Sequence, residues 1–146
     1  MDMKTELTAE NLDAFRERFG TFHDAVIHSV EYGMFRSKIR NQKPQIVTIT
    51  IGMRDWQIKS ENKWINLIFY VEQVEEMILQ KSRNYTLGII FNLSLAFFEG
   101  EIYLDFYPIT MEPTSPEDFR ESSIGSLLLV IGKRCFWSVE AYQERE

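Results

Sequence analysis

The stretch Thr86–Pro108 reads TLGIIFNLSLAFFEGEIYLDFYP. Leu87, Ile89, Phe91, Leu93, Leu95 and Phe97 share one parity, as apolar residues do along a strand with one buried face. Glu99-Gly100 follows as a turn signal. Ile102, Leu104 and Phe106 then alternate with Tyr103, Asp105 and Tyr107. Two alternating runs across a short turn predict an antiparallel hairpin, and this hairpin sets the class of the fold.

Reading outward from it gives more strands. On the C-terminal side, Pro108, Pro113 and Pro116 mark a loop, ITMEPTSPEDFRESS. After it, SLLLVIGKRCFWSVEAYQ reads as two strands, with Gly132-Lys133 able to turn one into the other. Cys135, Trp137, Val139 and Ala141 fall on one face, Phe136, Ser138, Glu140 and Tyr142 on the other. On the N-terminal side, WINLIFYV (64–71) and QIVTITIGM (45–53) each alternate and are rich in β-branched residues. Between them and the hairpin, VEQVEEMILQKSRN (71–84) changes period. Val71, Val74, Met77 and Ile78 line up at helical spacing, with acids early and Lys81 and Arg83 late, so a short helix is expected there.

The N-terminal part reads as a helix. Thr8 is a plausible N-cap, Leu12, Phe15 and Phe19 make an apolar stripe, and Gly20 is a natural stop. FHDAVIHSVEYG (22–33) follows as a strand. About seven strands and no βαβ alternation argue against a parallel sheet. The expected class is α+β, mainly β: an N-terminal helix packed on a curved antiparallel sheet or two-layer sandwich of about seven strands. The 146 residues fit a single globular domain.

Composition limits function. The formal net charge of −6 argues against nonspecific binding to nucleic acid, which needs clustered Lys and Arg. The densest basic stretch, Arg36–Lys43, reads as a solvated loop. A single cysteine, Cys135, excludes an intrachain disulfide. The N-terminus has no secretory pattern, and no window approaches the roughly 18 apolar residues of a membrane span. The cytoplasm is the expected compartment, with no membrane partner.

No catalytic constellation is recognisable, which points away from an enzyme. Both histidines lie in 22–33. On a regular strand His23 and His28 face opposite sides about 16 Å apart, so no shared metal is expected. There is no G-x-S-x-G elbow and no glycine-rich phosphate loop, so no cofactor is expected. Cys135 reads as a buried small hydrophobe. Asp105 is the best-placed single carboxylate, but Tyr103 and Tyr107 put it on the wetter face. The aromatic second face remains: Tyr70, Tyr103, Tyr107, Phe136 and Tyr142 lie opposite the main apolar stripes, and such residues are common in interfaces.

The residues F-H-D-A-x-I at Phe22–Ile27, with Val30, resemble a motif of small uncharacterised bacterial proteins. In these a His-Asp pair opens the first strand and a later strand reads F-x-x-V-x-x-[LM]. Phe69–Val74 gives a shifted version of the latter. Some of these proteins are grouped as immunity proteins of polymorphic toxin systems. The resemblance implies a small mostly-β protein without established enzyme activity and carries over no catalytic residue.

Two functions are therefore expected. The first is a noncatalytic domain that binds a protein partner or forms a homo-oligomer, with His23, Asp24, Tyr103, Tyr107 and Phe136 as candidate binding residues. The second is a small-molecule-binding domain or enzyme with a cleft near His23, Asp24 and Asp105. At the Phe22-His23-Asp24 corner a structural role is the favoured reading, with Asp24 binding backbone N–H groups.

Overall fold

In the computed structural model, which describes residues 3–20, 22–34, 45–55, 63–80, 89–90, 92–108 and 113–142, strands dominate. The elements are β1 (Thr5–Leu7), α1 (Leu12–Phe19), β2 (Ala25–Met34), β3 (Gln45–Arg54), β4 (Trp64–Leu79), β5 (Ile89–Ile90), β6 (Ser94–Phe98), β7 (Glu101–Asp105), α2 (Pro116–Ser122) and β8 (Leu128–Ala141). The strands form one antiparallel sheet. Its path is β5-β2-β3-β4-β8-β7-β6, and β1 joins β8 off that path. No helix is long and apolar enough to cross a membrane among the described residues.

The hairpin at Thr86–Pro108 forms as β6 and β7, with Ser94 opposite Asp105 and Phe98 opposite Glu101. Glu99 and Gly100 both have positive φ (51° and 79°), the backbone of a tight primed turn that suits the twist of the flanking strands. The run upstream does not continue straight into β6. Ile89 and Ile90 instead pair with Val26 and Ala25 of β2, at the far end of the path.

The long strands β4 and β8 run side by side and carry the sheet. One edge of β8 receives β1 along Cys135–Trp137 and β7 along Leu129–Gly132. Two sequence expectations are corrected here. Residues 71–79 continue β4 rather than forming a helix. The apparent helical spacing comes from a break in strand alternation. Gln73 has φ +52°, and the register slips between Val74 and Glu76, so Val71 and Val74 point into one core although they are three apart. Gly132 does not turn the chain either; β8 is continuous through it. It sits opposite Val74, where glycine allows close approach of the neighbouring strand.

A second slip lies in β2, between Ile27 and Ser29, leaving His28 as the extra residue. It moves the core face from Ala25 and Ile27 to Val30, a residue that unbroken alternation from Ala25 would place on the other side. β1 and α2 were not expected from sequence. α2 starts where Ser115 Oγ accepts the Asp118 N–H at 3.0 Å and Pro116 takes the first turn, a standard helix opening inside a proline-marked loop. At α1 the N-cap is Asn11, three residues beyond Thr8. Thr8 and Asn11 exchange side-chain-to-backbone hydrogen bonds in the turn before it.

The main core joins both halves of the sheet. It contains Ile49 and Ile51 of β3, Leu67, Phe69 and Val71 of β4, Leu95 of β6, Leu104 of β7 and Cys135 of β8. Phe15 of α1 lies 5.9 Å from Phe69, and Phe19 meets Trp137 edge-on at 5.1 Å. A smaller cluster on the opposite face, Ala96, Tyr103, Leu129 and Ile131, is capped by Phe119 of α2. The basic stretch Arg36–Lys43 lies outside the described residues.

Candidate functional site

Antiparallel register places one strip of side chains across four strands. Thr48 of β3 is opposite Tyr70 of β4, Tyr70 is opposite Phe136 of β8, and Phe136 is opposite Glu6 of β1. These residues alternate with Phe69, Val71, Cys135 and Trp137, which face the core, so the strip lies on the other side of the sheet from α1. Tyr70 and Phe136 are half-buried. The Tyr70 hydroxyl is 3.0 Å from Ser138 Oγ, which fixes the ring across the strands.

Cations cover the rings. Lys4 Nζ is 3.9 Å from the centre of Tyr70, and the Arg134 guanidinium is 4.9 Å from that of Phe136. Arg134 Nε also donates to Glu6 Oε1 at 3.2 Å, and this bond raises its pKa above the usual arginine value. Further along the same face, Tyr142 lies between His28 and Trp64, with centroids 5.5 and 5.9 Å away. The missing Cβ of Gly52 makes room for the His28 imidazole, which the bulge in β2 turns onto it. Among the described residues no helix covers this part of the sheet.

The candidate residues do not come together. His23 and Asp24 form the corner before β2, exposed, with Nδ1 to Oδ2 at 3.1 Å. The two side chains touch each other. Asp24 has φ +68° inside a turn closed by the Ala25 N–H donating to the Phe22 carbonyl at 3.0 Å. Tyr103 is buried beneath Phe119, at 5.1 Å, and its hydroxyl is pushed to a higher pKa, first by burial and then by Glu101. Tyr107 is half-buried against the main core. Of the five, Phe136 alone joins the strip.

Asp105 is not on a wet face: it is 1% exposed. Its Oδ1 accepts from Ser126 Oγ at 2.6 Å and from the Tyr107 N–H at 2.9 Å, and its Oδ2 accepts from Ser123 Oγ at 2.8 Å. Alternation had put Asp105 on the side of Tyr103 correctly, whereas Tyr107 packs against the main core, and α2 and the turn after it close over Asp105. Burial raises its pKa above the ordinary carboxylate value, and the three hydrogen bonds oppose the shift. With every donor contributed by the protein and no open side, it is poorly placed to meet a ligand.

Cys135 is fully buried, and burial pushes its thiol far up, so it is neither nucleophile nor ready ligand. Among the described residues no group of three or more His, Cys, Asp or Glu side chains could hold a metal ion. The chain matches no family model, no curated protein and no solved structure.

The strip was partly legible. Tyr70, Phe136 and Tyr142 stand out by parity. Lys4, Arg134 and Trp64 did not, because their place on the strip depends on β1 pairing with β8 and on the register of β4.

Proposed function

We propose that this protein is a noncatalytic binding module. It would recognise another protein through the face of the sheet opposite the one that Phe15 and Phe19 of α1 contact. One observation carries the reading: the aromatic strip of Tyr70 and Phe136, overlaid by Lys4 and Arg134, with no described helix on it. Aromatic rings with cationic neighbours give large contact area at low entropic cost and are the usual anchors of protein interfaces.

Other features agree with it. The net charge of −6 favours a partner carrying basic groups, through faster encounter. Asp105 and Cys135 are both buried away from solvent. An immunity-type role in a bacterial cytoplasm, as the F-H-D-A-x-I resemblance implies, is one form of this function.

The test is affinity capture from the native host with the wild-type chain and with a Tyr70→Ala, Phe136→Ala variant shown to be folded. A protein retained by the first and lost by the second supports the reading. Equal retention by both places the contact elsewhere.

A further inference from the structure

We propose that residues 115–126, α2 and the turn that follows it, form a strap that opens from the sheet as a unit, with Asp105 of β7 as its latch. The inference rests on this segment alone and stands apart from the aromatic strip.

Four observations carry it. First, α2 has seven residues, far short of the roughly 12–15 a helix needs to be even marginal alone, so it depends on what holds it down. Second, the backbone hydrogen bonds described for it run within the segment: Phe119 to Ser115, Ser123 to Phe119 and Arg120, Ile124 to Glu121, and Ser126 to Ser123. The β7–β8 ladder beneath does not use them. Third, Phe119 caps a cluster, with Tyr103, Leu129 and Ile131, that shares no member with the main core. Lifting the strap would uncover that apolar patch and leave the main core intact. Fourth, polar fastenings tie the strap to the sheet both at the surface and inside. Arg120 Nη1 donates to Glu76 Oε2 at 2.9 Å on the surface, and Ser123 and Ser126 donate to Asp105 inside.

Among the described residues the latch carboxyl has no buried cation beside it. Arg120 and Glu76 pair with each other at the surface, Glu117 and Asp118 lie in the first turn of α2, and Glu121 is exposed. On β7 itself, Glu101 and Tyr103 are the other titratable groups; the facing residues Ser94 of β6 and Leu129 of β8 are uncharged. The causes that move Asp105 are burial, which raises its pKa, and the bonds from Ser126, Tyr107 and Ser123, which lower it. The closed strap therefore holds a proton on Asp105 more tightly than the open one, where water reaches the carboxyl. Acid tightens the strap. Raising the pH through the closed-state pKa loosens it.

Hydrogen exchange on the full chain, at pH 4 and pH 7 and over a urea series, tests this with wild type and Asp105→Asn. The expected result is that the amides of 118–126 share one rate, at least about tenfold faster than those of β8 and with a shallower urea dependence. Their protection, corrected for intrinsic exchange, should fall with pH in wild type and stay level in Asp105→Asn. The proposal is overturned if these amides exchange together with β8. It is also overturned if they fray one by one, or if the two proteins show the same pH course.

Discussion

Gly132 of β8 lies opposite Val74 of β4, and a Cβ built there would stand 2.5 Å from Cγ1 of Val71 and 3.0 Å from the Glu72 carbonyl oxygen. The two longest strands can press together at this point because one of them lacks a side chain. It is also where Gln73 takes positive φ and β4 breaks its alternation, so the glycine and the irregularity belong to one joint.

Replacing Gly132 by alanine should therefore cost about 1–3 kcal/mol of stability, since neither the core Val71 nor a backbone oxygen can yield easily. Equilibrium denaturation by urea reads the loss as a lower midpoint. A neutral Gly132→Ala would show that the joint has slack.

Asp24 separates two roles at its corner. Its φ of +68° is tolerated by Asp and Asn but strained for branched residues, while its contact with His23 is exposed and so worth little. Asp24→Asn, which keeps the backbone preference and removes the charge, should melt close to wild type. Asp24→Ala should melt lower, and Asp24→Val lower still, by about 1–2 kcal/mol. If Asn and Val were equally destabilising, the carboxylate and not the turn would be what matters.

Asp105 gives a pH signature. Its folded pKa is raised by burial, so the folded protein binds the proton more tightly than the unfolded chain. The stability it contributes is present in full below its unfolded value near 3.8 and is lost as pH rises through the folded one. Denaturation of wild type and Asp105→Asn at a series of pH values should show wild type losing ground to the variant as pH rises from about 4. Parallel curves would mean that the carboxyl titrates alike in both states.

Much of this fold was written in local pattern, and what was not depended on pairing. The Glu99-Gly100 hairpin, the strands 45–53 and 64–71 and the helix ending at Gly20 follow from alternation, turn chemistry and an apolar stripe. Residues 71–79 misread as helix because a bulge and a positive φ mimic a three-residue period. No window of sequence distinguishes these until β8 is known to lie alongside. The break at His28 shifts the core face to Val30 in the same way. The Ser115-Pro116 opening of α2 was a readable signal masked by the prolines around it, and α2 is what buries Tyr103 and Asp105. For the site, parity found the aromatic residues. The cations above them and the separation of Tyr103 and Tyr107 from Phe136 arise only in three dimensions.

The central claim is that the Tyr70–Phe136 strip is a protein-binding face. Calorimetric titration of a captured partner into wild type, Tyr70→Ala and Phe136→Ala, each matched for thermal stability, tests it most directly. An interfacial aromatic anchor truncated to alanine should weaken binding at least tenfold, about 1.4 kcal/mol or more, in each variant. Unchanged affinity in both would contradict the account.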